Sequence, residues 1–125
     1  MLTSRAMTAK DPDGLLQLRN ALRQFAAERD WDQFHSPKNL ASALSVEAAE
    51  LLERFQWLTE EESGRLPPEK FNEVRDEMAD VLVYLVRLAD KLDVDLLDAA
   101  RDKIVLNAQK YPVEKARGSD RKYSD

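Results

Sequence analysis

The chain contains no cysteine and only one histidine, His35, among its 125 residues. Without cysteine it cannot form disulfides, thiolate metal sites or iron–sulfur clusters, and it cannot use a cysteine nucleophile. A single histidine excludes zinc sites that combine several imidazoles. Any bound metal would therefore have mainly oxygen ligands, which favours Mg²⁺, Mn²⁺ or Ca²⁺.

Glycine and proline are also scarce, with three glycines and five prolines in the whole chain. An all-β protein needs many turns, so this composition favours long helices instead. The length predicts a single domain over residues 1–125.

Long apolar runs are missing as well. No stretch reaches the ~18 residues of a membrane span, and residues 1–10 lack the apolar centre of a secretory signal. The 24 acidic and 19 basic residues give a net charge of −5, which disfavours binding to nucleic acid polymers or anionic membranes. We therefore expect a soluble, cytoplasmic protein.

Apolar spacing and capping signals predict an all-α fold, a four-helix bundle with short connections. Ser36 followed by Pro37 is typical of an N-cap and the first helical position. Thr59 and Glu62 have the spacing of a capping box and predict a short helical turn. The tail, residues 113–125, lacks periodicity and is expected to be loosely ordered. The predicted helices cover about residues 12–30, 37–57, 68–92 and 95–110.

Two pairs of acids occupy helical positions next to apolar stripes. Glu47 and Glu50 lie three residues apart in the second helix, and Glu77 and Asp80 have the same spacing in the third. Residues three apart share a helix face, so each pair can bind one ion together. If the two pairs face each other, four converging carboxylates would repel one another, and Mg²⁺ would remove that conflict. The alternative is that all four are ordinary solvated acids, which are common in a chain with 34% charged residues.

The third helix contains an apolar run, residues 78–89, that is interrupted only by Asp80 and Arg87. A helix that is apolar on nearly all sides is central or lies in a subunit interface. We therefore expect Asp80 to lie in a protected environment, and we expect a homo-oligomer, a homodimer or homotetramer, that buries part of this helix. A di-iron carboxylate bundle is disfavoured because it needs Glu-x-x-His motifs, and none occurs here.

The two acid pairs, Glu47-x-x-Glu50 and Glu77-x-x-Asp80, match the signature of the all-α nucleoside triphosphate pyrophosphohydrolases, the MazG-like superfamily. In more detail the chain resembles the dCTP pyrophosphatase-like branch. The resemblance covers about residues 14–123, and its matching segments are residues 25–31, 34–40, 43–51, 55–57, 76–85 and 107–113.

The resemblance implies hydrolysis of the bond between the α- and β-phosphates of a nucleoside triphosphate, giving a monophosphate and pyrophosphate. The expected substrate is dCTP or a modified pyrimidine nucleotide, and the expected role is cleansing of the nucleotide pool. Glu47, Glu50, Glu77 and Asp80 would hold Mg²⁺, with Mn²⁺ as a possible substitute. Glu50 is favoured as the general base, with Glu47 as the other catalytic carboxylate. Longer members often have an acid directly before the first motif residue, where this chain has Val46, so the number of metals stays open.

The resemblance also implies a substrate pocket in which Trp31 and Trp57 flank the nucleobase and His35 lies nearby. The alternative is that both tryptophans close the core and that His35 is structural. Tyr84 lies one turn beyond Asp80 on the same side of the third helix, where it could contact the ligand or simply pack.

A basic face of the fourth helix completes the candidate site. Lys103, Asn107 and Lys110 have helical spacing, and with Tyr111 they would contact the triphosphate and sugar. The alternative for this face is simple solvation. Two other functions stay open for the whole chain, a non-catalytic helical oligomerisation module and a nucleotide-binding regulator that hydrolyses slowly.

Overall fold

The structure is a computed structural model that describes residues 14–118. Over this range the chain is helical, with turns and no strand, so the predicted all-α class is confirmed. The helices are α1 (Gly14–Glu28), α2 (Pro37–Glu53), α3 (Glu60–Ser63), α4 (Pro68–Lys91), α5 (Leu96–Lys110) and α6 (Val113–Ala116), with a 3₁₀ turn at Asp32–Phe34 between α1 and α2. None of the helices in the described range is long and apolar enough to cross a membrane.

The chain divides into two compact units, one ending at Asp93 and the other beginning at Val94. The first unit contains α1 to α4, and the second contains α5 and α6. The single domain over residues 1–125 stays a prediction.

Helix α4 is the centre of the first unit, because both α2 and α1 pack against it. The buried apolar residues of the described range all lie on these three helices: Ala26, Leu40, Val74, Val86 and Ala89. Leu40 of α2 is the most enclosed of them, at 1% exposure. The α2–α4 contact is therefore the part of the fold that fixes the relative positions of the two acid pairs.

Two predicted segments differ from the structure. Helix α2 ends at Glu53 and not near residue 57, because the backbone N–H groups of Arg54 and Phe55 donate to carbonyls three residues back and tighten the chain into turns. In the predicted loose tail, Val113–Ala116 forms α6, with the Ala116 N–H donating to the Pro112 carbonyl. Residues 12–13 and 119–125, which also belonged to predicted segments, lie outside the described residues.

Candidate functional site

Three carboxylates converge where α2 packs against α4. Oxygen atoms of Glu47, Glu77 and Asp80 all lie within 4.8 Å of one another. Glu47 comes from α2, and the other two come from α4, so the helix contact unites one member of the first acid pair with both members of the second. This proximity is the arrangement that the sequence pattern predicted for three of its four acids.

The most protected of these acids is Glu77 and not Asp80. Glu77 is 9% exposed, whereas Asp80 lies in the exposed class. The expectation that Asp80 would be protected is therefore wrong. Glu77 follows the buried Val74 on the face of α4 that is covered in the first unit, and Asp80 lies about 60° further round the helix.

Glu50 follows Glu47 by three residues on the same face of α2, and its side chain interacts with that of Glu47. Burial, the neighbouring Glu50 side chain and the negative charges of Asp80 and Glu77 raise the pKa of Glu47 to about 7. In the protein without a metal, a proton on Glu47 relieves the repulsion among these acids. A bound cation would relieve the same repulsion with Glu47 ionised.

The cluster leaves two shielded carboxylate oxygens without hydrogen bonds. They are Glu47 Oε2 and Glu77 Oε2, and only the other oxygen of Glu77 is paired, at 3.2 Å from Arg54 Nη2. Buried carboxylate oxygens without a donor are costly unless they are paired or bind a metal. Because these oxygens belong to a convergent set of hard ligands, the residues fit a divalent cation such as Mg²⁺. Nothing in the sequence pointed to Arg54, which also lies 3.8 Å from Glu73.

The backbone hydrogen bonds at the C-terminal end of α1 fix the position of Trp31. Asp30 has a φ of 54°, a left-handed conformation that aspartate tolerates better than most residues. The Trp31 N–H then donates to the Ala26 carbonyl at 2.9 Å, and the Asp30 N–H donates to the Ala27 carbonyl at 3.2 Å. This is a Schellman motif, and its usual apolar contact is present as an edge-to-face pair between Trp31 and Phe25, with ring centroids 5.7 Å apart.

His35 follows the 3₁₀ turn and is held by α4. Arg87, whose side chain is 4% exposed, donates to His35 Nδ1 from Nε at 3.3 Å and to Asp32 from Nη2 at 3.0 Å. Lys91 also bonds Asp32, so two cations of α4 bind this one carboxylate. Sequence reasoning did not assign Arg87 to a site, although its position as the only cation in the apolar run of α4 was a signal.

The same arginine extends the network to α1 through Asp90. Arg87 Nη1 lies 3.4 Å from Asp90 Oδ2, and Arg23 of α1 binds the same carboxylate through Nε at 2.7 Å. The Arg23 hydrogen bond is the main cause that lowers the pKa of Asp90. One network, with Arg87 and Asp90 at its buried centre, therefore joins α1, the 3₁₀ turn and α4.

The tryptophans are not core residues. Trp31 is 44% exposed, and Trp57, in the turns after α2, is 87% exposed. The interpretation that they close the core is therefore wrong. Tyr84 of α4 is partly buried.

The remaining candidates lie in the second compact unit. Lys103, Asn107 and Lys110 are exposed on α5, at positions that share one helix face. Tyr111 is the C-cap of that helix, and its N–H donates to the Asn107 carbonyl at 2.8 Å. Their contribution to a substrate site stays a prediction.

Comparison with known proteins agrees with this geometry. The family model described as MazG-like matches residues 42–125. Over 113 residues, 89% of this chain and 66% of the relative, the chain is 47% identical to dCTP pyrophosphatase 1 of Mus musculus. The corresponding identity to dCTP pyrophosphatase 1 of Homo sapiens is 45%. The chain thus spans about two thirds of the length of these curated relatives, 66% in both cases.

The fold also matches that of a solved structure. The crystal structure of a pyrophosphatase from Archaeoglobus fulgidus matches with a TM-score of 0.76 and 38% sequence identity. The match covers 84% of this chain and 98% of that one. From the converging acids, the family match and these relatives, we conclude that the chain belongs to the MazG-like family.

Proposed function

We propose that the chain is a metal-dependent nucleoside triphosphate pyrophosphatase that converts dCTP, or a modified form of it, to the monophosphate and pyrophosphate. The observation that carries this proposal is the convergence of Glu47, Glu77 and Asp80 within 4.8 Å, with Glu50 beside Glu47. The curated relatives, named dCTP pyrophosphatase 1, support the substrate. The role is removal of such nucleotides from the cellular pool.

Glu47, Glu77 and Asp80 would hold the cation, which we propose to be Mg²⁺, with Mn²⁺ as a substitute. Its carboxylate ligands would include the two shielded oxygens that lack hydrogen bonds. When bound, the ion would neutralise phosphate charge and make a bound water more acidic. Substrate and cation would therefore bind together to an otherwise strongly negative site.

Glu50 is the proposed general base, because it lies beside the three converging acids and is not one of them. In the reaction a water oxygen forms a bond to phosphorus, and the bond from that phosphorus to the bridging α–β oxygen breaks. The water proton passes to the Glu50 carboxylate, and pyrophosphate leaves with the electron pair of the broken bond. Glu47, three residues before Glu50 on the same face of α2, would assist by holding the cation.

The base end of the nucleotide would lie at the connection between α1 and α2. Asp80 and Arg87 lie on one side of α4, separated by about 10 Å along the helix axis. Arg87 contacts His35, which shares this connection with the partly exposed Trp31. With the phosphates at the acids, Trp31 would stack on the base, and Tyr84 would contact the ligand between base and phosphates. Trp57 follows the other end of the 17-residue α2, roughly 25 Å away along the helix axis, so its proposed contact with the base would need a second copy of the chain.

We also propose two contributions that involve more of the chain. Lys103, Asn107, Lys110 and Tyr111 would bind the phosphates and sugar, since the first three offer an exposed polar face on α5. The active form would be a homodimer or homotetramer, because α4 leaves large apolar side chains exposed on the first unit.

The proposal is tested by incubating the protein with Mg²⁺ and each of the common deoxynucleoside triphosphates, and by measuring monophosphate, pyrophosphate and orthophosphate. We expect dCTP to give dCMP and pyrophosphate, and chelation of the metal to stop turnover. Glu50→Gln should lower kcat by about 100-fold or more, because the general base is lost. Glu53→Gln, an exposed position in the same helix, is the matched control.

Release of orthophosphate in place of pyrophosphate would contradict the proposal, and so would turnover without a divalent cation. Full activity of Glu50→Gln would remove Glu50 from its proposed role.

A further inference from the structure

The contact between Arg87 and His35 determines which nitrogen of the imidazole carries hydrogen. Arg87 Nε lies 3.3 Å and Nη2 lies 3.1 Å from His35 Nδ1. A guanidinium group has only donors, so Nδ1 must be the acceptor. A neutral imidazole that accepts at Nδ1 carries its hydrogen on Nε2.

The surrounding charges keep the ring neutral. Arg87, Lys91 and Asp90 of α4, Asp32 of the 3₁₀ turn and Arg23 of α1 form the network next to the ring. Cations outnumber carboxylates in it, which opposes a further positive charge. Burial and the positive charges of Arg87 and Lys91 lower the pKa of His35, and Asp32 only partly opposes them.

The Arg87 side chain that contacts the ring is itself enclosed and paired. The Arg87 side chain is 4% exposed and binds partners from three directions: His35, Asp32 and Asp90. Its guanidinium is therefore fixed in orientation. His35 itself is only partly buried, and it lies in the connection that also contains the exposed ring of Trp31.

We propose that Arg87 is a positioning residue that fixes His35 as a neutral Nε2–H donor for an acceptor atom at the base end of the nucleotide. This inference rests on the proposed function, because it places the nucleobase at the α1–α2 connection. The cytosine ring of the proposed substrate offers a carbonyl oxygen and a ring nitrogen as acceptors. Arg87 acts through His35 and does not touch the substrate.

The hydrogen position can be measured without substrate, because His35 is the only histidine in the chain. A long-range ¹H–¹⁵N spectrum of the labelled protein at pH 7.5 should show one neutral imidazole with hydrogen on Nε2. In Arg87→Met the same spectrum should show a mixture of the two tautomers. The control is Arg65→Met, because Arg65 is exposed and pairs with Glu61, four residues earlier in the chain. This variant should show the wild-type pattern.

The effect on binding is measured by kinetics with dCTP. Arg87→Met should raise KM roughly three- to tenfold, which corresponds to the loss of about one hydrogen bond to the substrate. Its kcat should stay within about twofold of the wild-type value. Inhibition by inorganic triphosphate, which has no base, should be unchanged. This contrast would separate the base end of the site from the phosphate end.

Two substitutions of His35 keep the test decisive if Arg87→Met does not fold. His35→Gln can place an amide N–H near the position of Nε2, whereas the shorter side chain of His35→Asn cannot. We therefore expect His35→Gln to retain a KM near that of the wild type and His35→Asn to raise it.

A wild-type spectrum with hydrogen on Nδ1, or on both nitrogens, would overturn the inference. So would unchanged KM values in all the Arg87 and His35 variants of an enzyme that hydrolyses dCTP. The wild type could show the expected tautomer and yet hydrolyse no nucleotide. In that case the proposed function fails, and the role assigned to His35 as a donor to the base fails with it. The hydrogen bond between Arg87 and His35 would still be correctly described.

Discussion

At the scale of single residues, carboxylates in this chain differ because their neighbours differ. Glu47 lies among other acids and is partly buried, and its pKa rises to about 7. Asp90 lies between two guanidinium groups, and its pKa falls below the usual range. The first arrangement favours a proton or a metal ion, and the second favours a permanently ionised structural pair.

The pairing of Asp90 predicts an acid-dependent loss of stability. Because its pKa is lower in the folded than in the unfolded protein, its contribution is present above about pH 4 and is lost as the pH falls through the folded pKa. Asp90→Asn should lower the free energy of unfolding at pH 7 by about 1–3 kcal/mol. The difference from wild type should shrink below about pH 4.

Urea unfolding at several pH values between 3 and 7 checks this prediction. Asp98→Asn is the control, since the Asp98 side chain is 68% exposed and its loss should cost less than about 0.5 kcal/mol. A difference between wild type and Asp90→Asn that grows on acidification would contradict the prediction.

At the scale of elements, the contact of α2 with α4 determines the geometry of the site. Glu47 and Glu77 belong to different helices, so their distance depends on how closely these helices pack. Leu40 of α2 and Val74 of α4 are buried members of the core on these two helices. A loosened core would therefore separate the acids as well as destabilise the fold.

Leu40→Ala tests this dependence. Removing an almost completely enclosed leucine, 1% exposed, should lower the free energy of unfolding by about 2–5 kcal/mol and weaken Mg²⁺ binding. Leu52→Ala, in the same helix but 61% exposed, should change stability by less than about 0.5 kcal/mol. Urea unfolding and calorimetric Mg²⁺ titration of both variants measure the two effects. Equal losses in the two variants would show that the core does not depend on Leu40.

At the scale of the whole molecule, one copy leaves many large apolar side chains exposed. On α4, Phe71, Met78 and Leu82 are 55%, 57% and 41% exposed, and their spacing places them along one side of the helix. In the second unit, Ile104 and Val105 of α5 are also exposed. Exposed apolar side chains at this density are typical of an interaction surface.

We expect light scattering to give a multiple of the 14.3 kDa chain mass. Met78→Glu should shift the mass toward one chain, because it places a charge in the apolar interface. Gln56→Glu, which adds the same charge at an exposed position outside the α4 stripe, should leave the mass unchanged. A wild-type mass of one chain at micromolar concentration would contradict the oligomer.

Much of the fold could be predicted because its signals are local. Ser36 accepts a hydrogen bond from the Asn39 N–H, and Thr59 and Glu62 bond reciprocally, so each helix start depends on residues only three apart. The end of α2 was harder to predict, because several apolar residues continue past Glu53 while the backbone already turns. The periodicity of apolar residues alone therefore does not show where the helix ends.

The candidate site was predictable in its composition and only partly in its arrangement. The helical spacing of the four acids indicated carboxylates that could share an ion, but it did not reveal that Glu77 is buried while Asp80 is exposed. The apolar run in α4 surrounds Asp80 in sequence, and sequence neighbours on a helix point in different directions. Which side of α4 is covered depends on α1 and α2.

The sequence by itself determined the helical class, the main helix starts and the pairing of acids, because these follow from neighbours within one turn. Only the tertiary structure decided that Glu47 meets Glu77 and Asp80, and that Arg87 binds Asp32 and His35. These contacts join residues far apart in the chain. They depend on how α1 and α2 pack on α4, since packing between helices sets which side chains meet and which remain in water.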